Sequence, residues 1–385
     1  MEKAFLFQTA KLIVFGRNKC EELGFYVKKL HAAKVAVVTD KGVVKAGILE
    51  KPIETLKSEG IKFTIFDEVV SEVPTEAVLK CVDSLRDQQI DLIVGIGGGS
   101  SIDTAKLAAL MLKHDGKIDD YVGADRVPGP VLPTIMLATT AGTGAEVTPN
   151  AIITDTTAKL KRGIVSRYIL PEIAIIDPSL TDLLPSEVTA YTGMDAFIHA
   201  LESYVSLNTS PLTDIIALEA IKLINQHLRI AVKNGSNKEA RDNLALASML
   251  GGMALTGAGT GGIHALAYPL GARFGIPHGM ANAMMLIYVV KFNLPAAKEK
   301  FAQVANVMGK EIRGLSQRQA TEKVVEAIQE LVVEVGVPTK LQEFDVKRKD
   351  IPDLAKSASK VTRLLSNNPK RMTVKDIENI YNEAF

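Results

Sequence analysis

Four side chains in the second half of the chain have residue types and spacing that could hold a metal ion. Asp195 and His199 lie four residues apart in segment 185–206, where apolar residues recur at steps of three and four and predict a helix. On a helix, this spacing places both side chains on one face. His264 and His278 follow about sixty to eighty residues later and could join them only through tertiary folding. One carboxylate and three imidazoles suit Fe(II) or Zn(II) and can leave a coordination position open.

Each of these residues also has an ordinary structural interpretation. A single Asp-x-x-x-His pair is usually a helix ion pair, and a lone histidine such as His264 could be a hydrogen-bonded core residue. The joint pattern favours metal binding. His264 follows Gly261-Gly262, and His278 lies in Pro277-His278-Gly279, where the backbone can approach closely.

A glycine-rich loop in the first half of the chain could hold an anion. Gly97-Gly98-Gly99-Ser100 follows a predicted strand and precedes a predicted helix from Ser100 to about His114. Backbone N–H groups and a helix N-terminus at such a place favour a dinucleotide pyrophosphate. The pattern Gly95-x-Gly97-x-x-Ser100 lacks the third glycine of the dinucleotide fingerprint and follows the third strand instead of the first. A tight turn without a ligand is therefore an open alternative.

Two further features could belong to the same nucleotide site. Asp40 ends a predicted strand, and a carboxylate there can bind ribose hydroxyls and repel a 2′-phosphate. It precedes the glycine loop by nearly sixty residues, whereas the usual acidic residue follows its loop by about twenty, so Asp40 alone is more simply a turn residue. Thr139-Thr140-Ala141-Gly142-Thr143-Gly144 could surround phosphates and a nicotinamide, or form an ordinary Ser/Thr-rich turn.

The elements that must position these residues differ between the two halves. In the first half, strands alternate with helices, which indicates a parallel sheet covered by helices in an α/β, Rossmann-like arrangement. A hairpin between Phe5–Phe7 and Leu12–Phe15 is also expected. From Pro185 onward only helical periods are found, so this half is predicted to be all-helical. The predicted strands are Val35–Thr39, Ile61–Phe66, Asp91–Ile96, Pro133–Leu137 and Ile173–Ile176; the predicted helices of the second half are 186–206, 211–233, 238–256, 281–292, 296–309, 316–335, 350–358 and 373–384.

A chain of 385 residues is too long for one ordinary core. We expect an α/β dinucleotide-binding domain at 1–183 and an all-helical metal- and substrate-binding domain at 184–385, with a cleft between them where both groups meet. The net charge of +1 gives no electrostatic case for nucleic acid or a membrane surface as partner. Cys20 and Cys81 form no motif, and neither a secretory signal nor a membrane span is evident, so a cytoplasmic location is expected.

At these residues the sequence resembles the iron-dependent (group III) alcohol dehydrogenases. The resemblance runs from the Gly97–Ser100 loop through Thr139–Thr148 and the metal candidates to Asn368-Pro369, and so covers essentially the whole chain. It implies a dehydroquinate synthase-like architecture and metal coordination by Asp195, His199, His264 and His278. It implies that Asp40 favours NAD(H) over NADP(H). The cofactor contacts it implies are Asp40, Gly97, Gly98, Gly99, Ser100, Asp103, Thr139, Thr140, Thr143, Leu180 and a lysine matching Lys161 or Arg162.

The activity implied by the resemblance is a metal-dependent, NAD(H)-linked interconversion of a small primary alcohol or diol with its aldehyde. His264 and His278 would take part in catalysis as ligands. Tyr268 stands where many relatives have a second histidine and is a candidate for proton transfer, with packing beside Pro269 as the alternative. Arg273 could favour an anionic substrate, or simply be solvated or paired. Asn150, Leu255 and Thr260 match substrate-pocket positions, and a homodimer or larger homo-oligomer is expected.

Two other functions are compatible with this architecture. Glycerol dehydrogenases and the lyase dehydroquinate synthase resemble it but use a different ligand set that generally binds zinc. Some relatives are non-catalytic domains that assemble into filaments. Asp195-x-x-x-His199 with His264 and His278 favours the iron-dependent branch, and a complete metal set and cofactor loop favour an enzyme.

Overall fold

The structure, a computed structural model, describes residues 4–157 and 160–385. Contacts between residues divide the chain into two units. The sheet unit comprises Gln8–Leu183, and the helical unit comprises Leu184–Phe385 together with the segment that ends at Phe7.

The sheet unit is built on six parallel strands in the order β1-β9-β6-β4-β2-β3. A second sheet has the order β5-β8-β7, in which β7 and β8 form an antiparallel pair. The strands are β1 Leu12–Phe15, β2 Lys34–Val38, β3 Lys62–Phe66, β4 Leu92–Gly97, β5 Gly123–Ala124, β6 Thr134–Ala138, β7 Asn150–Asp155, β8 Leu160–Val165 and β9 Ile173–Ile176.

The central strands are buried on both faces, which is why their sequences read as continuous apolar runs. On β2, Val35 and Val37 point into one core, whereas Ala36 and Val38 point into the other. Helices cover both faces, as parallel sheets require. The helices of this unit are α1 Leu23–Lys29, α2 Lys41–Lys45, α3 Glu50–Ser58, α4 Thr75–Leu85 and α5 Gly99–Lys113.

The first strand pairs differently from the prediction. β1 runs parallel to β9, with Leu12 opposite Ile173, and residues 5–7 form no strand. The predicted hairpin is therefore wrong. Its connection would be Gln8-Thr9-Ala10-Lys11, which lacks the glycine or asparagine that favours a tight hairpin turn, whereas an edge of the parallel sheet is open to an apolar strand.

The helical unit contains ten α-helices among its described residues and no strand. Helices α6, α7 and α8 pack against one another, and α10 packs against both α6 and α9. No single described helix is long and apolar enough to cross a membrane, although α8 and α9 would pass that test as a pair bent by 107°. The helices are α6 Ser186–Val205, α7 Pro211–Lys233, α8 Lys238–Ala258, α9 Gly262–Phe274, α10 His278–Asn293, α11 Lys298–Val307, α12 Gln317–Glu334, α13 Ile351–Ser359, α14 Thr362–Leu365 and α15 Val374–Ala384.

Helix α9 is missing from the sequence prediction. Gly271 and Pro269 lie within it, and both residue types disfavour a helix interior. The helix forms because tertiary packing buries it from Gly262 to Gly271, and burial outweighs these local preferences.

Candidate active site

Helix α6 presents three ionisable side chains on one face. Asp195, His199 and Glu202 are separated by steps of four and three residues and are all buried. Helix α8 approaches closely here, because a Cβ at Gly251 would stand 3.2 Å from the Ala196 carbonyl oxygen. The cluster therefore lies inside the packed core of the helical unit.

Helix α9 brings His264 to this face of α6. His264 is in the first turn of α9, and its Nε2 lies 3.0 Å from His199 Nε2 and 3.9 Å from Asp195 Oδ1. The two imidazoles stack with ring centroids 4.6 Å apart. Their Nε2 atoms therefore face each other beside the carboxylate.

Helix α10 supplies His278 as its first residue. His278 Nε2 lies 3.8 Å from Asp195 Oδ1, and its side chain is 27% exposed, the most of the cluster. A Cβ at Gly279 would stand 2.4 Å from the Tyr191 carbonyl oxygen, so glycine is required for the start of α10 to approach α6 this closely. The structure thus brings together all four predicted metal ligands.

The donor set fits a divalent metal ion. Ligand atoms of Asp195, His199 and His264 all lie within 4.8 Å of one another. Burial opposes ionisation of Asp195, but the nearby His199, His278 and His264, with a hydrogen bond from Asn282, leave the pKa of this carboxyl below its usual value. A charged carboxylate with imidazole nitrogens is a donor set that Fe(II) and Zn(II) accept.

Sequence reasoning missed two residues that contact these ligands. Asn282 Nδ2 donates to Asp195 Oδ1 at 2.7 Å and lies 3.2 Å from His278 Nε2. Glu202 Oε2 lies 2.6 Å from His264 Nδ1. Helical spacing could have found both residues, since Glu202 is seven residues after Asp195 and Asn282 is four after His278.

Tyr268 and Arg273 lie at different places on α9. Tyr268 is buried one turn after His264, with its ring centroid 6.0 Å from that of His278. Arg273 Nη2 lies 4.0 Å from Asp353 Oδ2, on α13. Tyr268 is therefore a neighbour of the cluster, whereas the ion-pair contact of Arg273 is with another helix. Of the predicted pocket positions, Leu255 and Thr260 are buried in and after α8, and Asn150 begins β7.

In the sheet unit, the predicted cofactor residues lie at the carboxyl ends of three neighbouring strands. Asp40 follows β2, Gly98 and Gly99 follow β4, and Thr139 follows β6. The chain runs from β2 to β3 on one side and from β4 to β6 and β9 on the other, so the strand order reverses between β2 and β4. Open parallel sheets bind ligands at such switch points. The reversal also explains why Asp40 precedes the glycine loop, because the two features belong to opposite sides of the switch.

The glycine loop, Gly97–Ser100, packs directly on the threonine segment, which is Thr139–Gly144. A Cβ at Gly99 would stand 2.7 Å from Thr143 Cγ2, whereas one at Gly98 would stand 3.5 Å from Thr140 Cγ2. The Thr139 N–H also donates to the Gly97 carbonyl at 2.9 Å. Gly97 has a φ of 156°, which L side chains rarely adopt. The two motifs therefore form one surface at the start of α5.

Asp40 is fixed at this edge by three hydrogen bonds. Its Oδ1 accepts from the N–H groups of Gly42 and Val43 and caps α2, and its Oδ2 accepts from Ser101 Oγ at 3.0 Å. The turn role and the position beside the glycine loop are thus combined in one side chain. Ser100 is half-buried in the first turn of α5, next to Ser101.

The remaining predicted cofactor residues differ in their burial and in their hydrogen-bond or ion-pair partners. Asp103 Oδ2 accepts from Ile152 N at 3.0 Å, and burial raises the pKa of Asp103 to about 6. Lys161 pairs with Glu72, its side chain only 6% exposed, and its charge opposes the rise in the pKa of Asp103. Arg162, on the opposite face of β8, pairs with Asp119 and Asp155. Leu180 is buried in the turn after β9.

Sequence reasoning also missed a buried lysine, Lys106, which stabilises the turn after the threonine segment through hydrogen bonds to its backbone. Lys106 Nζ donates to the carbonyl oxygens of Ala145, Thr148 and Asn150 at 2.6, 2.7 and 2.8 Å. Burial lowers the pKa of Lys106 to about 8 and raises the pKa of the nearby Glu146 to about 7. No local pattern distinguishes such a lysine from a surface lysine of the same helix, so only the structure identifies it.

The glycine loop at the switch point of a parallel sheet and the buried aspartate–histidine cluster among helices are compatible with a dehydrogenase that uses a metal and a nucleotide. Residues 10–178 match the family model for iron-containing alcohol dehydrogenase, and residues 189–385 match that for the C-terminal part of the Fe-containing alcohol dehydrogenase family. The chain belongs to the iron-containing alcohol dehydrogenase family. The predicted family and fold class are therefore confirmed.

Relatives extend over nearly the whole chain. It is 41% identical to long-chain-alcohol dehydrogenase 1 of Geobacillus thermodenitrificans, over 96% of this chain and 94% of the relative. It is 40% identical to 1,3-propanediol dehydrogenase of Klebsiella pneumoniae, over 96% of both chains. It is 37% identical to the NAD-dependent methanol dehydrogenase of Bacillus methanolicus, over 97% of both chains. These names confirm the predicted class of enzyme, an oxidoreductase.

Solved structures agree with this assignment. A crystal structure of a 1,3-propanediol oxidoreductase superposes with a TM-score of 0.97 at 39% identity, covering 100% of both chains. A sulfoacetaldehyde reductase from Bifidobacterium kashiwanohense, solved in complex with NAD+, superposes with a TM-score of 0.89 at 31% identity, covering 99% of both chains.

Proposed function

We propose that this protein is a metal-dependent, NAD(H)-linked oxidoreductase that interconverts a small primary alcohol or diol with its aldehyde. The observation that carries the proposal is the convergence of Asp195, His199, His264 and His278 from three helices on one cluster, in a chain of this family. A fold alone does not determine a function, whereas a convergent donor set with suitable chemistry supports one.

These four side chains would hold a divalent ion, and the family description favours Fe(II) over Zn(II). When bound, the metal would supply Lewis acidity toward an alcohol or carbonyl oxygen, and the nicotinamide would exchange the hydride. Among the four ligand side chains Asp195 supplies the carboxylate, and it is oriented by Asn282. The four ligands alone would therefore offset one of the two charges of the ion, so that it could still attract an oxygen ligand.

Tyr268 is the residue we propose for proton transfer. Its ring lies beside His278, the most exposed of the four predicted ligands, and a phenol can act in a proton relay. Tyr268→Phe keeps the ring and removes the hydroxyl, so we expect kcat to fall about 100-fold at unchanged metal content. Tyr268→His restores a proton-transfer group and should recover part of kcat. Equal turnover of wild type and Tyr268→Phe would leave Tyr268 with a packing role only.

We propose NAD(H) as the preferred coenzyme, bound at the switch point of the sheet unit. The names of two relatives, an NAD-dependent enzyme and an NAD+ complex, support this choice. The backbone of Gly97, Gly98 and Gly99 with Ser100 would receive the pyrophosphate, and Asp40 would bind ribose hydroxyls. The other proposed contacts are Asp103, Thr139, Thr140, Thr143, Leu180 and Lys161, which is chosen over Arg162 because it acts electrostatically on Asp103.

The substrate is proposed to be a small alcohol or aldehyde, and the anionic class is a separate arm of the test. One related structure is of a sulfoacetaldehyde reductase, which motivates anionic aldehydes as candidates. Arg273, the residue predicted to favour them, has Asp353 within 4.0 Å. If Arg273 binds an anionic substrate, Arg273→Gln will raise KM for carboxylated or sulfonated aldehydes at least tenfold and leave KM for neutral aldehydes unchanged. Equal effects on both classes would exclude that role.

The decisive experiment is turnover with and without metal. Freshly purified protein is analysed for iron and zinc, stripped with a chelator, and reloaded anaerobically with Fe(II) or Zn(II). We expect NADH oxidation with short aldehydes to be lost on stripping and restored by reloading. No turnover with any alcohol or carbonyl compound, despite bound metal and NAD, would instead favour a non-catalytic relative.

Self-association and a cytoplasmic location stay predictions. Strand β1, which carries Phe15, is an edge of the six-stranded sheet, and edge strands can pair with a second copy of the chain, which supports self-association. Sedimentation velocity of the wild type and of Phe15→Ser would measure it, and a purely monomeric wild type would exclude the predicted oligomer.

A further inference from the structure

The N-terminus of α9 is capped from elsewhere in the chain. Its N-cap is Gly261, which has no side chain to accept a hydrogen bond. Two distant residues accept instead. Asn368 Oδ1 accepts from Gly262 N at 3.2 Å, and Glu202 Oε1 accepts from Ile263 N at 2.5 Å. Glu202 thus links α6, which carries Asp195 and His199, to the first turn of α9.

The second oxygen of the same carboxylate faces an imidazole. Glu202 Oε2 lies 2.6 Å from His264 Nδ1. A carboxylate oxygen accepts hydrogen bonds, so this contact favours the hydrogen on His264 Nδ1. The other ring nitrogen, Nε2, faces His199 and Asp195 and is the atom that could donate a lone pair to a metal.

We propose that Glu202 is a positioning residue that fixes the tautomer and the ring orientation of His264, so that His264 Nε2 is available as a donor. This inference rests on the proposed metal site at the cluster. Glu202 is not itself a predicted ligand. It would control whether His264 can bind the metal. Partners of this kind commonly change metal affinity by about 10- to 100-fold.

The hydrogen bond from the Ile263 N–H to Glu202 Oε1 determines how a glutamine at position 202 would be oriented. In Glu202→Gln, the Ile263 N–H can be accepted only by the amide oxygen, which leaves the amide NH₂ toward His264. The NH₂ group is a donor, so His264 Nδ1 must accept and the hydrogen moves to Nε2. The variant keeps the shape of the side chain and the cap of α9 but places a hydrogen on the atom meant to bind metal.

Glu202→Ala separates positioning from stability. Alanine removes the cap and the packing, so it destabilises the fold more than glutamine does. It also leaves His264 free to adopt either tautomer, so it should impair metal binding less than glutamine does. We therefore expect the two variants to rank in opposite orders. Thermal stability should be highest in wild type, lower in Glu202→Gln and lowest in Glu202→Ala. The affinity for Fe(II) or Zn(II) should be highest in wild type, lower in Glu202→Ala and lowest in Glu202→Gln.

The experiment compares these variants with Asn368→Ala, which loosens the same helix N-terminus without touching His264. Metal-free, full-length proteins are titrated with Fe(II) anaerobically and with Zn(II), and their melting temperatures are recorded. We expect a 10- to 100-fold loss of affinity in Glu202→Gln and a change of no more than about threefold in Asn368→Ala. A single ranking that follows melting temperature for all three variants would overturn the proposal.

A second measurement does not depend on metal binding. With ¹⁵N-labelled histidine, the ring nitrogen shifts of metal-free wild type report which nitrogen of His264 carries hydrogen. We expect Nδ1–H in wild type and Nε2–H in Glu202→Gln, and Nε2–H in the wild type contradicts the inference. If wild type binds no metal while showing Nδ1–H, the proposed function fails and the tautomer assignment stands, so the two failures are distinguishable.

Discussion

The two candidate sites of this protein differ in composition, because one consists of side chains and the other mainly of backbone. The candidate metal cluster in the helical unit consists of carboxylate and imidazole side chains that converge from α6, α9 and α10. The candidate nucleotide edge of the sheet unit consists mainly of backbone at glycines and small threonines, at the ends of β4 and β6. The first site should therefore fail when a side chain is removed, and the second should fail when one is added.

Removing a ligand from the helical unit should have the largest effect. His199→Ala deletes one donor of the cluster, so we expect kcat/KM to fall more than about 1,000-fold, or about 4 kcal/mol, with loss of bound metal. His227→Ala, on the neighbouring helix α7, is the matched control and should keep both. If His199→Ala retains both metal and turnover, His199 is not a ligand and the cluster is not the metal site.

Buried charge in the sheet unit should affect stability instead of turnover. Burial raises the pKa of Glu146 to about 7, above its unfolded value, so the stability it contributes is present at low pH and lost as pH rises toward 7. We expect the free energy of unfolding to fall by about 2 to 3 kcal/mol between about pH 4.5 and 7 for this reason. Glu146→Gln, measured by denaturant titration at several pH values, should remove this part of the decline and leave the part contributed by Asp103, whose pKa burial raises to about 6. Glu172→Gln, which removes a carboxylate paired with exposed Lys11, should leave the whole decline unchanged.

Adding a methyl group at the nucleotide edge should weaken NAD binding. A Cβ at Gly98 meets no protein atom nearer than 3.5 Å, so Gly98→Ala should fold normally and weaken NAD about tenfold, or about 1.4 kcal/mol, by obstructing the pyrophosphate. Gly99→Ala meets Thr143 at 2.7 Å and should lower the melting temperature as well. Calorimetry and thermal melts separate the two effects. Unchanged NAD affinity in Gly98→Ala would show that the backbone there does not approach the nucleotide.

The smallest expected effect is on coenzyme choice. Asp40→Ser retains a capping oxygen for α2 and removes the charge that repels a 2′-phosphate. We expect the ratio of kcat/KM for NADH to that for NADPH to fall about tenfold or less, about 1 kcal/mol. Asp91→Ser also removes a carboxylate that accepts from two backbone N–H groups, but at the start of β4, and should not change the ratio. A shift of similar size in both variants would point to general electrostatics.

The same contrast governs what the sequence could reveal. Strands β2, β4 and β9 were predictable because short apolar runs between turn residues favour buried strands, and the convergence of the four metal candidates was predictable because carboxylate and imidazole side chains mark potential ligands. Helix α9 was not, because Pro269 and Gly271 obscure its period and its stability comes from tertiary burial. The hairpin β7–β8 was also missed, since Lys161 and Arg162 interrupt the apolar pattern of β8. Helical spacing places Glu202 on the same face of α6 as Asp195, but its contact with His264 forms only through tertiary folding.

The supports of α9 have a consequence for the order of folding. Asn368 holds the first turn of this helix, and the Tyr381 hydroxyl donates to the Leu266 carbonyl at 2.5 Å. The two contacts join residues that are 106 and 115 positions apart in the sequence, so neither forms until the later segment has packed onto α9. We therefore expect the ion to enter late in folding, after this segment has docked.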